Sequence, residues 1–167
     1  MTPEEKLFDD LKRSVGKEIG VTDWFTISQM EADIFGPLTR DWDAMHNDPE
    51  WGRDSPWGGT IAHGFHLLSL VSHFNRWAGG LPILTNARVY ALNYGLDRVR
   101  FISPLRIGKR ARDHVTLASI SEKRPGEFLV RTSHEVEIEG EKKPAMIAEH
   151  LGLFVLMGSK PAHAAAE

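Results

Sequence analysis

The sequence predicts an α+β fold, with helices gathered in the first half and long antiparallel strands in the second. Apolar residues recur at helical spacing as far as Ala78, and beyond Pro82 they alternate with polar ones. Length is the third observation: 167 residues suffice for one sizeable core and are short for two. Residues 1–157 are therefore expected to form one domain, and the small, polar stretch 158–167 to be a flexible tail.

The elements follow in order. Leu7, Phe8, Leu11 and Val15 predict a short amphipathic helix over 4–15. Ser28 followed by Glu31 is a capping box, so a helix should start there with Met30, Ile34 and Leu38 along one side. Gly36-Pro37 should kink or end it, because proline lacks an N–H and crowds the carbonyl four residues earlier. From Gly64 to Ala78, small or apolar residues at 64, 67, 68, 71, 74 and 78, widened by Phe65 and Leu70, predict a long helix wrapped on most sides. Gly79-Gly80 and Pro82 end it. Strands are predicted around Val99–Phe101, around Val115 and Leu117, and over Phe128–Ile138. In the last of these Phe128, Val130, Val136 and Ile138 oppose Arg131, Ser133, Glu135, Glu137 and Glu139. A final strand is predicted over Met146–Leu156.

Composition bounds the function. Hydrophobic residues make up 41% and charged residues 26%, ordinary globular usage. A net charge of −3 gives no sign of a nucleic-acid partner. With no cysteine, a disulfide framework, a thiolate nucleophile and a cysteine-ligated zinc are excluded. The start, MTPEEKLFDDLKRS, lacks the apolar core of a signal peptide, and no apolar run approaches the ~20 residues of a membrane helix. A cytoplasmic protein with no membrane partner is expected.

Chemistry concentrates between Asp41 and Gly64. Asp41 and His46 set a carboxylate five residues from an imidazole, a pair able to hold a water and exchange a proton near neutrality. The plainer reading is a turn cap and a loop histidine, with Asp48 capping a helix that opens at Pro49. Ala62-His63-Gly64 then opens the apolar helix, where unpaired amides can stabilise a developing oxyanion and glycine permits close approach. Packing alone would also explain that glycine. His63, His66 and His73 lack an H-E-x-x-H pattern, so no metal is expected. Ser69 and Ser72 sit in no G-x-S-x-G elbow, which leaves a serine hydrolase unsupported. Arg98, Arg100, Arg106, Lys109, Arg110 and Arg112 could meet phosphates or form solvated strand faces.

The run D-x-D-A-M-H-N-D-P, then G-G-T-I-A-H-G and an apolar helix, resembles the hydratase motif of MaoC-like dehydratases, the (R)-specific enoyl-CoA hydratases of hotdog fold. Leu92-Asn93-Tyr94-Gly95-Leu96-Asp97-Arg98-Val99-Arg100-Phe101 resembles the subgroup related to nodulation protein N. The resemblance spans residues 25–156. It implies a sheet curled around the long helix, here 64–78, and a homodimer whose sheets join with acyl-CoA along the subunit boundary. Asp41 and His46 match the catalytic dyad, and Gly64 the glycine whose amide polarises the thioester carbonyl. His63, Ser72 and Asn93 are carried as substrate-binding positions. No cofactor or metal is implied, because the thioester itself acidifies C2. The chain departs from the family at Asp43-Ala44, where Asn-Pro is common; Asp43 sets a second negative charge near Asp41. The expected activity is reversible hydration of a trans-2-enoyl-CoA. The alternatives are a hotdog acyl-CoA thioesterase and a non-catalytic acyl-CoA-binding protein.

Overall fold

Residues 2–158 are described in the computed structural model. The first helix, α1 (Pro3–Lys12), starts at a capping box: the Glu5 amide donates to the Thr2 hydroxyl at 3.1 Å, and the Thr2 amide to the Glu5 carboxylate at 2.7 Å. It buries Phe8 and Leu11, whereas Val15 lies beyond its end and is exposed. Two short strands, β1 (Glu18–Val21) and β2 (Phe25–Thr26), lead to α2 (Gln29–Thr39), which opens at the Ser28–Glu31 box as expected. Single-turn helices α3 (Ala44–Asn47) and α4 (Pro49–Arg53) follow, then α5 (Gly64–Ser69), α6 (Val71–Trp77) and a 3-10 turn at Pro82–Thr85. The long strands β3 (Val89–Phe101), β4 (Arg110–Arg124), β5 (Glu127–Ile138) and β6 (Met146–Leu156) complete the chain.

All strands are antiparallel in the order β1-β4-β5-β6-β3, with β2 also pairing β4. The turn Pro125-Gly126 sets the β4–β5 register, its glycine at φ 78°. One face of the sheet receives the helices. Leu67, Val71 and Phe74 pack with Ala111, Val136, Met146 and Ala148, and Phe8 and Leu11 with Leu117, Phe128 and Phe154. This is the hotdog arrangement that the resemblance implies, and β5 alternates between core and solvent as its sequence predicts.

Three expectations are corrected. Helix α2 runs through Pro37 to Thr39, and Arg40 ends it in the left-handed region at φ 63°. Proline removes one backbone bond there, while the Thr39 hydroxyl donates to the Phe35 carbonyl at 2.9 Å and Asn47 Nδ2 to the Ala32 carbonyl at 3.0 Å, supplying bonds from outside the ladder. The stripe Met30, Ile34 and Leu38 lies along one side of α2 as expected and is 72, 56 and 77% exposed, while Ala32 and Gly36 are buried. The helix expected over 64–78 is divided at Leu70. The Ser69 hydroxyl bonds the His66 carbonyl at 2.6 Å, and the Leu70 amide turns to Leu67, three residues back. Phe65 is exposed in this chain, so α5 presents one covered face rather than being wrapped.

The basic cluster is largely matched by carboxylates on the sheet's other face. Arg110 pairs with Glu139, Arg112 with Glu137, Arg98 with Glu149 and Lys109 with Glu141. Among the described residues no helix is long and apolar enough to cross a membrane. Beyond Gly158 the expected tail lies outside the described residues.

Phe8 stacks on Phe128 with centroids 3.9 Å apart and meets Phe154 edge-on at 6.1 Å. Phe8→Ala is expected to cost about 3–5 kcal/mol of unfolding free energy, read from denaturant midpoints.

Candidate active site

The segments that meet here are fixed mainly through their backbones. After α2 reverses at Arg40, the Asp41 amide donates to the Gly36 carbonyl at 2.9 Å. A Cβ on Gly36 would lie 2.6 Å from Asn47 Oδ1 and 2.9 Å from the Asp41 carbonyl oxygen, so only glycine lets the helix meet the loop that follows. Asp43 uses its carboxylate as the α3 cap, accepting the Met45 amide at 3.0 Å. Asp48 caps α4 with Pro49 in its first turn, as the plainer reading of that stretch anticipates.

Helix α3 carries His46 against the segment Thr60–Ala62. The Ile61 amide donates to the Met45 carbonyl at 3.0 Å, and His46 Nδ1–H to the Ile61 carbonyl at 2.8 Å. That segment is tied to the chain before β4: the Ala62 amide reaches the Leu105 carbonyl at 2.8 Å, and the Ile107 amide the Thr60 carbonyl at 2.9 Å. Gln29 closes the frame by donating to the His46 carbonyl at 2.8 Å and accepting the Thr60 hydroxyl at 2.6 Å.

His63, only 1% exposed, donates from Nε2 to the Asp41 carbonyl at 3.1 Å. Its ring stacks on that of His46, centroids 4.0 Å apart, and Phe35 backs it at 5.2 Å. One acid–base atom each from Asp41, His46 and His63 falls within 4.8 Å of the others. With Nδ1–H committed to Ile61, the neutral His46 ring offers Nε2 as its lone pair. A gap of this size suits one water hydrogen-bonded to both groups, at about 2.8 Å from each. The same three residues are donors of the kinds a metal takes. The two imidazole planes are inclined by 28°.

His46, His63 and Gly64 line a cavity of about 200 Å³ closed by Phe101, Pro104 and Leu105. His63 supplies no side-chain cap to α5, so the leading amides of that helix are not taken up by it. A Cβ on Gly64 would stand 3.0 Å from the Phe101 ring. Asp41, His46, His63 and Gly64 are thus brought together. Ser72 and Asn93 are brought to each other instead: the Ser72 hydroxyl donates to Asn93 Oδ1 at 2.9 Å, in a separate cavity between α6 and β3. His150 joins them, its Nε2–H donating to the same oxygen at 3.1 Å. Burial, and then the neighbouring His134, push the His150 pKa down to about 4. His66 is likewise lowered by burial, with its ring stacked on Phe35.

Sequence reading missed Gln29, Phe35 and Ile61. Ile61 works through backbone atoms, which leave no side-chain signature, the partners of the Gln29 amide are 17 and 31 residues away, and Phe35 falls outside the Met30–Leu38 stripe.

A family model described as "MaoC like domain" matches residues 10–138. Nodulation protein N of Rhizobium leguminosarum bv. viciae is 41% identical over 148 residues, covering 87% of this chain and 89% of its own. The 3-hydroxyacyl-thioester dehydratase Z of Mycobacterium tuberculosis is 36% identical over 149 residues, covering 87% and 94%. The crystal structure of a MaoC-like dehydratase from Rhodospirillum rubrum shares the fold with a TM-score of 0.67 at 21% identity, covering 92% of this chain and 97% of that one.

Two outcomes follow from the packing and the titration. Gly36→Ala should lower both the melting temperature and any turnover, since its methyl group pushes on Asn47 and Asp41 together; thermal melts and rates measured in parallel check this. An unfolded imidazole titrates near 6.5 and His150 near 4, so between these values the unfolded chain holds more protons. The His150 contribution to stability is complete above pH 6.5 and is lost as pH falls toward about 4. Denaturant midpoints across that window should drop with acid, and drop less in His150→Gln.

Proposed function

This chain belongs to the MaoC-like family, and from that premise we propose that it is a hydro-lyase adding water reversibly to a trans-2-enoyl-CoA to give the (R)-3-hydroxyacyl-CoA. The observation that carries the reading is the Asp41–His46 pair: acid–base atoms within 4.8 Å, beside the cavity that Gly64 lines. The dehydratase activity in the name of a relative 36% identical supports the same bond chemistry read in the opposite direction.

The thioester sits with its carbonyl oxygen at the Gly64 amide and C3 over the water held by Asp41 and His46. The water oxygen bonds to C3 while one of the pair takes its proton. The π electrons of C2=C3 move to the thioester oxygen as an enolate, where amides at the start of α5 stabilise the charge. The enolate collapses, C2 takes the proton from the pair, and the site returns to its starting state. His63 is a positioning residue, because it holds the Asp41 backbone and stacks on the His46 ring.

A homodimer fits the edge of the sheet. Strand β3 is 13 residues long and pairs with β6, and Leu92, Tyr94 and Leu96 upon it are exposed. Long apolar edges of this kind are covered in working proteins, and joining β3 to a second copy would cover this one.

Crotonyl-CoA is the discriminating substrate. Loss of its enoyl absorbance without free thiol is the expected result; release of CoA would mean hydrolysis, and tight binding without turnover on any chain length a non-catalytic binder. Asp41→Asn and His46→Ala should each reduce turnover about 100- to 10,000-fold while the protein stays folded. A near-normal rate in either variant refutes the pair.

A further inference from the structure

The cavity that holds Ser72 and Asn93 is polar where the far end of a fatty acyl chain would be expected to meet hydrocarbon. It measures about 190 Å³ and lies between α6, β3 and the inner ends of β5 and β6. A wider groove of about 430 Å³ opens from it along α5, and Ser72, Asn93 and His150 border both. The groove's other walls are mostly apolar: Phe65, Leu68, Val71 and Leu96. Phe65 on its wall follows Gly64 in sequence, and its ring stands 5.9 Å from that of Phe101, which lines the proposed reaction site. Eight residues separate Gly64 from Ser72, about 12 Å at the helical rise. An extended ligand lying along α5 and α6 would therefore pass an apolar stretch and then reach a polar cluster.

Each member of that cluster has an assigned bond, and the assignments leave a defined remainder. Asn75 Nδ2 donates to His150 Nδ1 at 3.3 Å, which puts the ring proton on Nε2, donating to Asn93 Oδ1 at 3.1 Å. Asn93 Oδ1 also accepts the Ser72 hydroxyl at 2.9 Å, so one amide orientation serves both bonds. Among the described residues Asn93 Nδ2, exposed in this chain, then has no protein acceptor, Ser72 Oγ keeps its lone pairs, and the buried Asn75 Oδ1 has no partner. Behind them Thr132, also on the cavity wall, bonds His134 Nε2 at 2.9 Å, and the Asp113 carboxylate holds His134 Nδ1 at 2.7 Å. Laying a plain alkyl chain over them would take the exposed Asn93 and the half-buried Ser72 out of water with no hydrogen bond returned, a loss that a matching hydroxyl removes.

The geometry points to a second recognition subsite here, selecting acyl thioesters that carry a hydroxyl on the chain remote from the thioester. Its oxygen accepts from Asn93 Nδ2 and its proton goes to Ser72 Oγ. The proposal rests on the acyl-thioester reading above and names the class of chain that this site prefers.

The test uses equilibrium binding, so that it stands apart from turnover. Saturated acyl-CoAs of graded length, each made with and without a terminal hydroxyl, are titrated calorimetrically into the full chain. At the length that reaches the cluster the hydroxylated member should bind about tenfold or more tightly than its plain partner. Asn93→Ala and Ser72→Ala, checked by thermal melts for folding, should bring that ratio close to one. Equal binding of every pair by the unsubstituted protein overturns the subsite, as does a ratio untouched by both substitutions. No binding of any acyl-CoA overturns it too, together with the reading on which it rests. Failure to hydrate crotonyl-CoA, with the hydroxyl preference intact, overturns only the hydratase chemistry.

Discussion

The site depends on the peptide group of Ile61. Its amide is spent on Met45 and its carbonyl on the His46 ring, so one residue fixes both the short helix that carries the histidine and the tautomer of that histidine. Because Ala62 and Thr60 are bonded to Leu105 and Ile107, the clasp is held to the connection that leads from β3 into β4. The proposed catalytic imidazole is therefore oriented by a peptide carbonyl, leaving Asp41 free to face the same water.

The pair at 41 and 46 was legible because its chemistry lies in side chains at a fixed interval, and the glycine at 64 because a helix start followed it. The supporting frame was not. Ile61 acts through its backbone carbonyl and amide, which any residue possesses, and Gln29 through a side-chain amide whose partners, His46 and Thr60, are distant in sequence. Asp43, a second carboxylate in the loop, is also the cap of α3, a role that local capping preference gives an aspartate at a helix start.

The helices show a different limit. Periodicity identified an apolar side on α2 correctly and could not say what covers it; Met30, Ile34 and Leu38 face outward from this chain. It also over-read Pro37, past which α2 continues to Thr39. The strands were more readable, because alternation along β5 is set by the sheet faces themselves. The bulge between Asn93 and Gly95 left no such mark, although it falls within the stretch that aims Asn93 at Ser72.

The interruption at Leu70 bears on the electrostatics at Gly64. A peptide macrodipole grows by alignment along an unbroken ladder, and here the ladder is interrupted after six residues. The positive potential met by an incoming oxygen is consequently that of the nearest few N–H bonds, a short-range field that strengthens steeply over the last ångström of approach. Stabilisation of this kind rewards accurate seating of the acyl group far more than its mere proximity, so selectivity and rate in this protein would be governed by the same small displacement.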